Sequence, residues 1–338
     1  MLVLSDDEAA PDSRENAAIV HGSVHDKLLS RLLLLTGKDK ARQMNKPLNK
    51  QMSAADVVAN IKSGMTVGIG GWGPRRKPMA LVRELLRSDV KDLTIVAYGG
   101  PEVGMLCAAG KVKKLIYGFV TMDAIPLEPY YRKAREAGTL EVMELDEGMF
   151  EWGLRAAGMR LPFLPTRCGL GTDVVKRNPD LKMVKSPYAD GEVLLAMPAL
   201  KLDVALLHVD AADKLGNTLN TGNDPLFDHL FARAADACYV CAEKLEDKFA
   251  LTADEARFNY FERYLVKGVV HAAGGGHPTY CGKAYGWDMD HLKKYNASAS
   301  EEGGWQKYYD EFIACGEEEY LAKNGGMERI AKLRTPIF

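Results

Sequence analysis

Four glycines, Gly68, Gly70, Gly71 and Gly73, are packed between an apolar run and two prolines in Val67-Gly68-Ile69-Gly70-Gly71-Trp72-Gly73-Pro74-Arg75-Arg76-Lys77-Pro78-Met79. Residues 65–69 read as a short buried strand, and the glycines allow positive φ and close approach of backbone to a ligand. Pro78 suits the first turn of a helix, where its missing N–H costs nothing. A strand that turns through glycine into a helix points main-chain amides outward, where they can meet an anion or a developing oxyanion. Gly70, Gly71, Trp72 and Gly73 are therefore expected to form the floor of a substrate pocket.

Gly68, Gly70 and Gly73 also have the GxGxxG spacing of a dinucleotide turn, but their context opposes it. The first glycine lies inside the strand and two prolines follow the third. The next strand ends in Gly99-Gly100-Pro101, with no acidic residue to hold a ribose.

Around this stretch the chain alternates. Ser53 caps a helix with Asp56 in its first turn, Val57, Val58 and Ile61 on one face and Gly64 as its stop. The pattern predicts helices over 79–86, 106–109, 126–137 and 150–159, with strands over 93–97, 114–119 and 140–145 between them. Further strands are read over 194–200, 204–208, 237–242 and 265–270, a helix over 225–235, and helices in the tail over 305–313 and 317–323. The polar segment 170–191 reads as an excursion covering the site. The alternation predicts an α/β fold, an open, mainly parallel sheet with helices on both faces. Functional groups in such a sheet gather beyond the carboxyl ends of its strands, where Gly70 and Glu147 both fall.

With 338 residues, 47% of them hydrophobic, the chain can bury a large core. A net charge of -2 with mixed signs argues against a nucleic-acid surface or a polybasic membrane contact. Residues 1–50 start acidic and carry an apolar run, Leu28 to Leu35, too short to span a membrane. They read as a poorly ordered extension, with Met44 or Met52 as the functional start, ahead of a domain over 51–338. The six cysteines are scattered and suggest reduced thiols in a cytoplasm. Cys238 and Cys241 have Cys-x-x-Cys spacing, but on a strand residues three apart point to opposite faces. Packing is expected there, and no metal.

Three segments carry a family resemblance. Ser63-Gly64-Met65-Thr66-Val67-Gly68-Ile69-Gly70-Gly71-Trp72-Gly73 resembles the glycine signature of the α subunit of class I CoA-transferases. Phe163-Leu164-Pro165-Thr166 with Gly169-Leu170-Gly171-Thr172 is similar to the second family segment. Asp203-Val204-Ala205 leading to Asp213-Lys214-Leu215-Gly216-Asn217 is similar to the third. Tyr98-Gly99-Gly100-Pro101 and Asp146-Glu147-Gly148-Met149 resemble the glutaconate-CoA-transferase-like branch, and within it the steroid-ring-cleaving acyl-CoA hydrolases. The likeness covers about residues 52–338.

The resemblance implies a class I CoA-transferase (NagB-like) fold, an α/β heterotetramer with a β subunit as partner, and an acyl-CoA as substrate with no other cofactor. In ordinary members a β-subunit glutamate forms an acyl anhydride and then a glutamyl-CoA thioester. In the hydrolase branch that residue is absent, and an α-subunit glutamate matching Glu147 activates water or takes a proton. The implied function is hydrolytic ring opening of a carboxylated cyclic keto acyl-CoA in steroid (cholesterol ring C/D) catabolism. A true CoA-transferase subunit, of glutaconate or 3-oxoacid type, is the alternative, and a non-catalytic nucleotide-binding module a third reading.

Glu147 is the candidate general base, since a partly desolvated glutamate is tuned toward neutral pH; alternatively Asp146 and Glu147 only cap the next helix. Arg75, Arg76 and Lys77 are candidates to hold an acyl carboxylate or the CoA phosphates, or else form an exposed corner. Arg167 stands where ordinary transferases have a small residue, and is a candidate for a second substrate carboxylate. His208, His271 and His277 show neither triad order nor metal spacing and read as structural, as does the turn chemistry of Asp213 and Asn217.

Overall fold

The glycine strand sits at the centre of the main sheet. The structure, a computed structural model, describes residues 48–335 except 126 and 223. The expectations for the first fifty residues lie outside the described residues up to residue 47. From Asn49 onward the chain makes one unit. Its first half runs α1 (Ala54–Val58), β1 (Thr66–Trp72), α2 (Met79–Arg87), β2 (Leu93–Gly99), α3 (Pro101–Ala108), β3 (Val112–Val120), α4 (Pro129–Glu136), β4 (Glu141–Glu144) and α5 (Glu147–Gly158). An excursion follows through β5 (Phe163–Thr166), α6 (Asp173–Arg177), β6 (Lys182–Lys185) and β7 (Val193–Pro198). The chain then re-enters through β8 (Leu202–Asp213), β9 (Thr218–Leu219), α7 (Asp228–Ala234), β10 (Ala235–Glu246), α8 (Ala253–Ala256) and β11 (Val266–His271). It closes with α9 (Met289–Ser298), α10 (Gly304–Phe312), α11 (Glu317–Lys323) and α12 (Gly326–Ile330). None of these helices is long and apolar enough to cross a membrane.

The main sheet has the order β11-β10-β8-β1-β2-β3-β4 with every neighbour parallel, and β9 adds antiparallel to β8. Chain order reverses between β1 and β8. Strand residues alternate between two cores, as period two requires. Ile95 and Ala97 join Leu81, Leu85 and Tyr295 on one face, while Val96 and Tyr98 join Phe150, Leu207 and Phe231 on the other. Cys241 packs in the first core and Cys238 in the second, so their spacing is strand packing.

Three expectations change. The strand predicted over 194–200 is not in the main sheet: β7 is the middle of a separate antiparallel sheet, β5-β7-β6. Leu195 and Met197 point inward while Leu194 and Ala196 are half-buried, and this doubly apolar pattern looks like a buried parallel strand. α1 starts at the predicted Ser53 cap, where Ser53 and Asp56 form a capping box, but ends at Val58, well before Gly64. β1 runs on through Gly70 and Gly71 to Trp72, so the glycines are strand as well as turn.

Glu128 gives the fold a pH dependence. It caps α4, accepting from Tyr131 N at 2.6 Å, while Tyr295 Oη donates to its other oxygen at 2.6 Å. Burial pushes its carboxyl up to about 8 from 4.5. A raised acid pKa stabilises the fold fully below the unfolded value, and the contribution drains away between pH 4.5 and about 8. In Glu128→Gln the decline of melting temperature across that window should flatten, as a pH series of thermal melts would show.

Candidate active site

Two turns at the carboxyl ends of the strands meet. Trp72, the last residue of β1, donates its indole Nε1–H to Glu147 Oε1 at 3.0 Å. Its ring is fixed on two sides, edge-on to Phe119 at 4.6 Å between centroids and under the Arg75 guanidinium at 4.6 Å. From β2, Tyr98 donates its hydroxyl to the Glu147 carbonyl at 3.0 Å. Burial, and then the Glu147 carboxylate, pushes the Tyr98 phenol far up, so it stays a donor. The sequence expectation that Glu147 lies against the glycine loop holds, with the tryptophan making the contact.

The helix-cap reading holds for Asp146, which makes the capping hydrogen bond, while Glu147 lies in the first turn and its carboxylate accepts from Trp72 instead. α5 begins three residues earlier than the pattern predicts, and its N-cap is Asp146, whose Oδ1 accepts from Met149 N at 2.7 Å. Glu147 occupies the first helical position with its carboxylate exposed. The expectation of partial desolvation is therefore unmet by this chain taken by itself.

The oxyanion role of the loop amides also needs correction. Gly71 N donates to Asp228 Oδ1 at 2.8 Å, Trp72 N to Arg75 O at 3.0 Å and Gly73 N to Tyr98 O at 3.1 Å. All three are spent inside the fold. The glycines serve backbone packing: a Cβ on Gly71, whose φ is +76°, would lie 2.4 Å from Arg75 O, and one on Gly70 would lie 2.4 Å from Leu207 Cδ2. Substitution there strikes the chain's own interior before it reaches a ligand.

The basic run is not an exposed corner. Lys77 is fully buried, with Nζ 2.8 Å from Glu102 Oε1 and donating to Tyr98 O at 2.6 Å, so it does not reach a substrate. Arg76 is 2% exposed; it pairs with Asp228 at 3.0 Å and donates to the carbonyls of Asp224 and Pro225. Arg75 is half-buried and pairs with Asp123 at 3.1 Å over the Trp72 ring. Arg167 is exposed and forms a fork with Glu192 at 2.6 and 2.5 Å. Its segment lies against the Glu147 turn, because a Cβ on Gly148 would sit 2.8 Å from Cys168 Sγ.

Sequence reading missed one buried cluster. His208, Glu243 and Cys281 bring metal-capable atoms within 4.8 Å of one another. Each is already engaged: Glu243 Oε1 lies 2.8 Å from His208 Nε2 and accepts from Tyr285 Oη at 2.5 Å, and Oε2 accepts from Gly274 N at 2.7 Å. His208 Nδ1 lies 3.0 Å from Cys241 Sγ. Burial works against the Glu243 charge, but these hydrogen bonds outweigh it and hold its carboxyl below the ordinary range. The network ties β8 to β10 and to the segment after β11. No spacing in the sequence links these residues: strand pairing of β8 with β10 brings His208 beside Cys241 and Glu243, and Cys281 comes from the segment after β11. Asp213 and Asn217 do form the expected turn, with Asp213 Oδ1 accepting from Asn217 N at 2.9 Å.

Known proteins share this architecture. The cholesterol ring-cleaving hydrolase IpdA subunit of Rhodococcus jostii is 48% identical over 281 residues, covering 81% of this chain and 95% of that protein. Glutaconate coenzyme A-transferase from Acidaminococcus fermentans has a solved structure that matches with a TM-score of 0.77 at 27% identity, covering 85% of this chain and 96% of that one. The decarboxylase AibA/AibB matches with a TM-score of 0.71 at 29% identity, covering 79% and 99%. Residues 51–272 match the Coenzyme A transferase family, and this chain is a member of that enzyme family.

Proposed function

We propose that this chain is the α-type subunit of a cytoplasmic α/β enzyme that opens the ring of a carboxylated cyclic keto acyl-CoA by hydrolysis, in steroid catabolism. The observation that carries the reading is the Glu147 carboxylate held at 3.0 Å by the Trp72 indole at the strand ends, in a chain 48% identical to a ring-cleaving hydrolase subunit. Glu147 takes a proton from water, the hydroxide adds to the ring ketone, and the adjacent C–C bond breaks. Its electron pair leaves as an enolate, which is reprotonated, so one water is consumed and a new carboxylate forms. Coenzyme A enters as the substrate's thioester, and the enzyme needs no other cofactor.

The exposed position of Glu147 in this chain supports a partner. A base works best where water is limited, and a β subunit closing over the turn supplies that cover in a heterotetramer. Six free cysteines suit a reducing compartment. The competing reading is CoA transfer through a glutamate on the partner, favoured by the fold match to glutaconate coenzyme A-transferase. Borohydride treatment of the α/β complex after exposure to acyl-CoA separates the two. The hydrolase leaves the partner unmodified and, in heavy-oxygen water, places the label in the new carboxylate. A reduced partner glutamate would assign transfer instead.

A further inference from the structure

Exposed apolar side chains crowd into one part of this chain. Nine large apolar side chains stand exposed among the described residues, and six of them, Met159, Leu161, Phe163, Met183, Tyr188 and Val193, fall within residues 159–193. That stretch is the excursion built on the antiparallel sheet β5-β7-β6. Single exposed apolar residues are ordinary on a protein surface, whereas a cluster of them marks a contact surface.

Strand pairing shows which faces are bare. Leu195 and Met197 are fully buried in the core that Met149, Phe150 and Leu154 of α5 share. Met183 pairs with Leu195, and Val193 precedes Leu195 by two on β7, so both lie on that same face. They are 48% and 52% exposed, so the cover of the core ends before the outer end of the hairpin, where Tyr188 is 79% exposed. The other face carries Phe163, Pro165, Leu194 and Ala196, the first two exposed and the others half-buried. A strand apolar on both faces is built to be covered on both, and the described residues cover β7 on one face only.

The free edges of this sheet point to the faces as the contact. Pro165 sits on β5, and β6 begins and ends in the exposed Lys182 and Lys185. Proline and lysine blunt an edge against further strands, so two copies of this chain do not join by extending the sheet. The root of the arm lies against the catalytic turn: besides the contact of Cys168 with Gly148, a Cβ on Gly169 would sit 2.4 Å from Met149 Sδ. A body seated on the arm therefore reaches over the exposed Glu147 carboxylate, the group that needs cover.

We propose that the β5-β7-β6 arm is the docking element for the partner subunit, which holds its apolar faces and by the same contact closes over Glu147. The assignment rests on the α/β assembly reading given above.

A photoreactive phenylalanine derivative at position 188, in this chain co-expressed with its partner subunit, should crosslink to that subunit. Met183→Glu and Val193→Glu should each raise the dissociation constant of the complex at least about tenfold, and together prevent assembly at micromolar concentration, as light scattering reads. Both side chains are half exposed, so circular dichroism should show the fold of this chain kept. A crosslink to a second copy, or to residues 1–47 of the same chain, overturns the proposal, and so does wild-type assembly in the double variant. If the double variant does not fold, the crosslink alone decides. A complex that depends on the arm yet turns over no acyl-CoA would remove the enzymatic reading and keep this surface. Full turnover and unchanged assembly in both variants would remove this surface alone.

Discussion

Glu147→Ala is expected to lower turnover of a cyclic keto acyl-CoA by about 10² to 10⁴, the range for loss of a general base, while assembly and melting temperature stay near wild type. Stability is spared because the cap of α5 is Asp146 and because the Tyr98 hydroxyl bonds the Glu147 backbone carbonyl, which survives the substitution. The exposed side chain leaves behind only the Trp72 indole N–H, which water can satisfy. Glu147→Gln sharpens the test: it keeps the shape and still accepts from Trp72, yet it cannot take a proton. Kinetics and melts on the same samples decide the point. Full turnover in Glu147→Gln would take this residue out of the chemistry and move the reaction to a glutamate of the partner subunit. Trp72→Phe should give a smaller loss, since it removes the group that orients the carboxylate and leaves the carboxylate itself.

The parallel sheet and the meeting of Glu147 with the glycine turn were legible because both follow from local pattern: strand, glycine, helix, and a carboxylate at a strand end. What the glycines do was not. A run of glycines signals close approach of something, and sequence does not say whether that is a ligand or, as for Gly71 against Arg75 O, the chain's own backbone. Charge misled in the same way. Arg75, Arg76 and Lys77 stand together in sequence and look like an anion site, yet their compensating acids, Asp123, Asp228 and Glu102, come from separate segments. The Cys241, His208, Glu243 and Cys281 network was hidden for the same reason: strand pairing puts Cys241 directly beside His208, and no spacing rule records that.

Removing the carboxylate of Glu102 should be the most destabilising single change at the site. Lys77 is fully buried, and burial pulls its ammonium below the ordinary lysine range even with Glu102 2.8 Å away. Glu102→Ala strips the counter-charge from that ammonium and the acceptor from Gly100 N, which reaches the carboxylate at 3.0 Å. Breaking a buried pair in this way costs about 3–5 kcal/mol. Lys77→Met with Glu102→Leu removes both charges and should recover much of that loss; the remainder reflects the Gly100 N–H left without its carboxylate, at about 1–3 kcal/mol for a buried orphan, while Tyr98 C=O keeps the Gly73 N–H at 3.1 Å. Chemical denaturation of the single variants and the double variant measures the coupling. If the double variant is no more stable than Glu102→Ala, the hydrogen bonds outweigh the charge. The effect should also reach function, because Lys77 holds the Tyr98 carbonyl while the Tyr98 hydroxyl holds the Glu147 backbone. Loss of the pair therefore loosens the turn that carries the base, and activity in the folded fraction of Glu102→Ala should fall along with its stability.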